Sequence, residues 1–373
     1  QKLKEVNISK MRNFFIGVIL GIAIGALIGA NAPDNYKQPS VKQLNHENNN
    51  SKASIKLNLV SAFNGTMRSN ARLNPTFIER LSRISNNDIL IEFHKPETIG
   101  PIDNMFDAVS SGTIDSALSS SHLWSKKSPT FELFSSVPFG PDMISYLTWF
   151  REHGGQGFYE KLYSKYNIHS MICGIVGVTG AGWFNHEINV LDDFQKSKIA
   201  ASGLGALVYN ELGATTINIS PSKILSYLQQ GKVNAVAIAN LTTNQFLKLS
   251  KHVKYYYFPG LFQQSRIIDL MINLEKWDSL NKSQKEIIKT ACLANITHSI
   301  TTSEVLQFET LKKIIIKGVD VRRFPDHIIV GIEKAWLTVA NSQSKSNEDF
   351  RKVLNSLGKF RKNYSIWQEL GRI

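Results

Sequence analysis

The chain has 373 residues, 42% of them hydrophobic, and a formal net charge of +13. That apolar content suffices for one large core or two medium ones and excludes a wholly disordered chain. Residues 1–30 carry Lys2, Lys4, Lys10 and Arg12 against Glu5, so +10 falls on the rest, spread without a long basic run or a nucleic-acid-binding motif. Such dispersed charge gives no reason to expect a nucleic-acid partner.

In chain order, Phe14–Ala30 is an uninterrupted run of apolar and glycine residues behind Lys10 and Arg12. A positive region followed by an apolar one reads as a secretory signal. At about 1.5 Å per residue the run is also marginally long enough for an uncleaved anchor. Residues 1–32 are therefore expected to be a signal peptide or a membrane anchor, with membrane contact through this segment. The Asn-rich stretch 33–54 reads as a flexible linker, and the rest is expected outside the cytoplasm, in the periplasm.

Ile55–Ala62 alternates apolar and polar residues and predicts a half-buried strand. A loop at Asn64–Asn70, a helix through Leu81, a strand at Ile89–Phe93, a helix at Asp103–Val109 and a strand at Ile114–Leu118 complete a βαβαβ unit. Helices at Tyr146–Glu152 and Phe158–Tyr166 flank a glycine turn, and Met171–Val178 reads as a strand. From Gly182 to Ala235 three short α/β units follow in succession, which implies parallel strands with ligands at their carboxyl ends. Ile267–Leu274 reads as a return strand. Lys282–Ile316 has helical periodicity without proline or glycine, and a late strand at Val319–Phe324 precedes two C-terminal helices. Cys173 and Cys292 both lie in core-like apolar settings far apart in sequence. They read as two separate buried thiols in preference to a bridge closing a long loop.

No HExxH, GxSxG or GKS/GKT motif occurs, and the nine histidines show no ligand spacing. No catalytic residue and no enzymatic activity are expected.

The Gly182–Ala235 run, with FDAVSSGTID at Phe106–Asp115, KSP at Lys127–Pro129, VPFG at Val137–Gly140, YYYFPG at Tyr255–Gly260 and NLEKWDSL at Asn273–Leu280, resembles one family. It is similar to the periplasmic solute-binding subunit of TRAP transporters (tripartite ATP-independent periplasmic transporters), in the branch that takes 2-oxo acids and other small organic acids. The resemblance spans roughly Ile55 to Ile373. It implies an α/β, two-domain periplasmic binding protein with a cleft between the domains and a long bridging helix. The first domain is expected at 55–178 with part of 267–316, the second at 179–266, the bridging helix at 282–316 and a C-terminal strand and helices at 317–373. The implied function is capture of a small organic acid by hinge closure and its delivery to a TRAP-type permease. The alternative is a membrane-tethered sensor or structural protein on the same fold that has lost organic-acid binding.

In this family an arginine at the end of a second-domain strand, just before a Pro-Gly turn, clamps the ligand carboxylate, a task suited to a fork of donors. Here the segment reads KIAASGLG, with Ala200 at that position and Ser202 at the proline. In the 2-oxo-acid branch a crossover glutamine and a Glu-Trp pair hold a metal ion and the ligand; the matching positions are Thr179, Ala237 and Ile238. His122 stands where a tyrosine is expected before Trp124, and Leu261, Phe262 and Gln263 replace aromatic and acidic residues. Glu97 and Trp124 match the pattern. The resemblance thus implies a cleft lined by Glu97, His122, Trp124, Thr179, Ala200, Ile238, Asn240, Phe262, Gln263 and Arg266. No cofactor is expected, because a hard cation loses its only charged oxygen ligand with the glutamate. Two compensations are open. Another cation serves the carboxylate, Arg266 foremost, then Arg68 or Arg72. Or the ligand is neutral or apolar, lying against Ala200, Ala237, Ile238, Leu261 and Phe262, with His122, Thr179, Asn240 and Gln263 as the polar groups.

Overall fold

The computed structural model describes residues 54–63, 73–237 and 248–371, which belong to one compact unit beginning at Ser51. The expected signal or anchor, the linker up to Ala53, the loop with Arg68 and Arg72, and Ile238 and Asn240 lie outside the described residues. No helix among the described residues is long and apolar enough to cross a membrane.

Two sheets organise the chain. The first has the order β2-β1-β3-β10-β4, formed by β1 (Ile55–Ser61), β2 (Ile89–His94), β3 (Ser116–Ser119), β4 (Ile168–Val176) and β10 (Arg266–Asn273). Its strands β1, β2 and β3 are parallel, with α1 (Leu73–Ile84) and α2 (Asp103–Ser110) as crossovers. Alternation in IKLNLVS buries Leu57 and Leu59 against Phe77 and Leu81 of α1. Strand β10 inserts antiparallel between β3 and β4.

The second sheet has the order β11-β9-β5-β8-β6-β7. Its strands are β5 (Gly182–Phe184), β6 (Lys198–Ala200), β7 (Thr215–Ile217), β8 (Ala235–Val236), β9 (Tyr255–Phe258) and β11 (Asp320–Arg323). Strands β6, β7 and β8 are parallel, as the alternating units imply. Strand β5 departs from that expectation and runs antiparallel to both β8 and β9. It is reached directly from the first sheet through residues 177–181 rather than through a crossover helix, so nothing turns it into the common direction. The second crossover, 259–265, leads back to β10. Gly260 belongs there because a Cβ would run into the Thr179 carbonyl of the outgoing crossover.

Between β3 and β4 in the chain come α3 (Met143–Glu152) and α4 (Gly155–Ser164); α5 (Gly203–Glu211) and α6 (Ile224–Gln229) join the parallel strands of the second sheet. After β10 come α7 (Leu274–Ser279), α8 (Lys282–Ile316), α9 (Asp326–Ser346) and α10 (Glu348–Gly371). Helix α8 is 35 residues long, the run without proline or glycine, and opens with a capping box between Asn281 and Gln284. Its early residues Ile288, Ala291 and Cys292 pack with the first sheet, and its late residue Ile314 packs with the second.

The expectation of two separate thiols is overturned: Cys173 of β4 and Cys292 of α8 form a disulfide, with Cα atoms 4.2 Å apart across 119 positions of sequence. A register shift explains it. Along β10, Ile268 pairs with Gly174 and Asp269 with Ile172, leaving Cys173 as the unpaired residue of a bulge. The side-chain amide of Asn295 on α8 donates to the Cys173 carbonyl at 2.8 Å, and the Ile175 amide donates to Ser299 Oγ at 2.8 Å.

Candidate functional site

Both crossovers leave the first sheet at one end, where the carboxyl ends of β1 and β3 and the amino end of β10 meet. That end of an open parallel sheet is where ligands bind. Of the residues expected from sequence, His122, Trp124 and Arg266 lie at this end, and Thr179, Phe262 and Gln263 lie on the crossovers.

Arg266 opens β10 opposite Val176, the last residue of β4. It is only 2% exposed, and its Nε and Nη2 have no hydrogen-bond partner. Its guanidinium carbon lies 5.8 Å from the centre of the Phe63 ring, just beyond β1, a cation–π approach. Burial pushes its pKa down to about 9, and no carboxylate offsets this. It is still a cation at neutral pH, held without a counter-ion among the described residues.

His122 sits on the turn of 3-10 helix Ser121–Trp124 that follows β3. Its Nδ1 lies 3.0 Å from Ser120 Oγ and 3.1 Å from Ser135 Oγ. Ser120 Oγ in turn donates to the Ile267 carbonyl at 2.6 Å, tying this turn to the start of β10. Burial, and then the Arg266 charge, pull the imidazole pKa down to about 3. The ring is neutral at any physiological pH although an edge stays accessible. Trp124 is buried against Phe106, ring centres 5.2 Å apart, with its Nε1 unpartnered; Ser121 Oγ is likewise buried without a partner. Unsatisfied buried donors are rare enough to need a reason.

Gln263 and Thr179 are used by the crossovers. Gln263 Nε2 donates to the Gly177 carbonyl at 3.3 Å, its Oε1 accepts from Ser136 Oγ at 3.4 Å, and its carbonyl accepts from the Thr179 amide at 3.3 Å. Phe262 lies apart, against Tyr209 of α5 with ring centres 4.7 Å apart. Ala200 is fully buried in the apolar cluster of Trp183, Ile219, Val236 and Tyr256, where its methyl serves the core of the second sheet. Glu97 is on the 3-10 turn Pro96–Ile99 after β2, and its side chain lies outside the described residues, as do Ile238 and Asn240.

One residue here was absent from the sequence expectations. Glu132, on the 3-10 helix Pro129–Phe134, is 7% exposed and accepts a hydrogen bond from the Leu204 amide in the first turn of α5. Burial raises its pKa to about 7, opposed by that hydrogen bond. It joins an element packed on the first sheet to a helix of the second, and Gly203 has no Cβ because the carboxylate takes that space. The signal was one acidic residue inside the aromatic run FELF. The serine cluster around His122 was equally visible, as SALSSSH.

Among the described residues no group of three or more His, Cys, Asp or Glu could hold a metal ion. The two undescribed stretches within the folded unit, 64–72 and 238–247, contain no Asp or Glu.

Comparison with known proteins gives the architecture its place. A solved structure from Bordetella bronchiseptica, a TRAP transporter solute-binding protein with copurified calcium and picolinate, superposes with a TM-score of 0.79 at 24% identity, covering 86% of this chain and 95% of that one. A TRAP periplasmic solute-binding protein from Colwellia psychrerythraea, with bound calcium and pyruvate, gives 0.79 at 23%, covering 85% and 97%. In sequence, a monocarboxylate 2-oxoacid-binding periplasmic protein of Nostoc sp. (strain PCC 7120) is 26% identical over 299 residues, 80% of this chain and 82% of that protein. The family profile of bacterial extracellular solute-binding protein, family 7, matches residues 71–346, and the chain belongs to that family.

Proposed function

We propose that this protein captures a small organic acid between its two sheets outside the cytoplasm and presents it to a TRAP-type membrane permease. The family is one of transport receptors rather than enzymes. The observation that carries the reading for this chain is Arg266: a buried cation with two unpartnered N–H groups at the strand ends where both crossovers begin. An uncompensated buried charge is costly, and an anion entering the cleft removes that cost. Binding favours whichever arrangement lets both sheets touch the ligand, so the ligand shifts the population toward the closed form. The permease then reads closure. The tethered sensor or structural alternative leaves these buried donors without a purpose.

The test is native mass spectrometry of the full chain after export to a bacterial periplasm, with small-angle scattering before and after removal of any bound molecule. A bound carboxylic acid, and compaction when it is restored, are expected. A protein that comes out empty and keeps one scattering profile across a panel of organic acids would contradict the reading.

A further inference from the structure

Relatives with this fold hold calcium together with picolinate or pyruvate. The residues of this chain do not fit such an ion. A hard cation wants several oxygen ligands, usually including a carboxylate. The positions matching the family's cation set include Thr179, whose amide is used by the crossover, and Ala237, which offers only a methyl and its backbone. Among the described residues no carboxylate lowers the cost of Arg266 burial, the short stretches 64–72 and 238–247 have none to add, and Glu97 is the one acidic residue within the folded unit whose side chain lies outside the described residues.

We propose that Arg266 replaces the metal ion: the cleft binds a singly charged carboxylate directly through Arg266 Nε and Nη2, without any cation. This rests on the receptor reading above and names its ligand chemistry. Nε and one Nη of a guanidinium form one edge of the planar fork that meets both oxygens of a carboxylate. Both of these N–H groups are free here and buried. The Phe63 ring lies beside the guanidinium, 5.8 Å from its carbon to the ring centre. His122 next door is neutral, so it adds no second positive charge and offers a hydrogen bond only. One guanidinium compensates one negative charge. A second carboxylate on the ligand would be buried without a partner, so the site discriminates against dicarboxylates.

The experiment is isothermal titration of EDTA-treated full-length protein with the Tris salts of pyruvate, other 2-oxo monocarboxylates and succinate, with and without added calcium or sodium. Wild type is expected to bind a monocarboxylate with a Kd that changes less than about twofold on adding either cation; removing the guanidinium should cost at least about 30-fold. Arg266→Met and Arg266→Lys are measured alongside, with thermal unfolding of each in the absence of ligand. Because the guanidinium is an unpaired buried charge, Arg266→Met is expected to raise the ligand-free Tm while abolishing the ligand-induced shift. A purely structural arginine would lower it. Binding that needs calcium or sodium, or that survives Arg266→Met, overturns the proposal and leaves the receptor reading intact. Absence of binding by wild type in every condition overturns both.

Discussion

The two sheets relate differently to the long helix that touches both. The first is fastened to it: the Cys173–Cys292 disulfide, the Asn295 amide on the Cys173 carbonyl and Ser299 beneath Ile175 pin β4 along α8. The second meets the same helix through the apolar packing of Ile314 and Leu311 against Val253, Tyr256 and Val319. Covalent and directional bonds fix a register, whereas apolar contact tolerates small sliding. The polar interior follows the same division. Asp269, fully buried on β10, accepts from Ser119 Oγ at 2.5 Å and from the hydroxyls of Tyr159 and Tyr163. Arg266 lies three residues before it. The first sheet thus carries both the covalent brace and the buried charge, and the second shares apolar packing with the far part of the same helix.

The disulfide offers the strongest way to break that comparison. Closing a loop of 119 positions is worth about 4–5 kcal/mol in the chain-entropy account. Replacing both Cys173 and Cys292 by alanine should lower the unfolding free energy of the first sheet, read from its denaturant midpoint and slope, by about that amount. In hydrogen exchange, β4 and the first half of α8 should lose protection while β6 and β7 keep theirs. Equal loss in both sheets would show that the brace holds them as one cooperative body.

How much of this was readable beforehand follows the physics of each signal. The alternation of IKLNLVS and the unbroken run of α8 are local patterns, and both elements were legible. The disulfide was not, because its geometry depends on a bulge that only pairing with β10 creates. The role of Glu132 was hidden because its partner is a backbone amide, which every residue but proline has. The resemblance set Ala200 at a clamp position and gave no sign of a core methyl, since a strand of three residues is too short to display which face it turns inward. Arg266 stood out only as a charge at the head of an apolar strand; its isolation from the described carboxylates is a fact of three dimensions.

Glu132 tests the contact between the halves through pH. Its pKa rises from an ordinary 4.5 to about 7 when buried against α5. A raised native value means the folded arrangement binds the proton more tightly. Its contribution is thus full below about pH 4.5 and is lost as pH rises through about 7, a difference of up to about 3 kcal/mol. His122, which shares Ser135 with this turn, stays neutral throughout that window. Glu132→Gln keeps an acceptor for the Leu204 amide and removes the titration. Its stability should exceed wild type near pH 8 and converge with it near pH 5, measured as the difference between the two urea midpoints across pH. Curves that stay parallel would mean the carboxylate is solvated in solution and does not join the two halves.

The smallest effect sharpens the comparison most directly, because it asks which wall of the cleft carries recognition. Ala200 is packed with Trp183, Ile219 and Val236 and has no exposed surface. Ala200→Val adds two methyl groups to that cluster. Overpacking of this kind costs about 1–3 kcal/mol, and the cost should appear as a lower Tm with ligand affinity unchanged within about twofold. Were the position still part of the binding surface, the added bulk would instead enter the cleft, where it would weaken binding and leave stability nearly untouched. The two outcomes are opposite in both readouts. The first would place recognition on the Arg266 wall alone, and the second would mean that the family's clamp position keeps its place in the site after losing its charge.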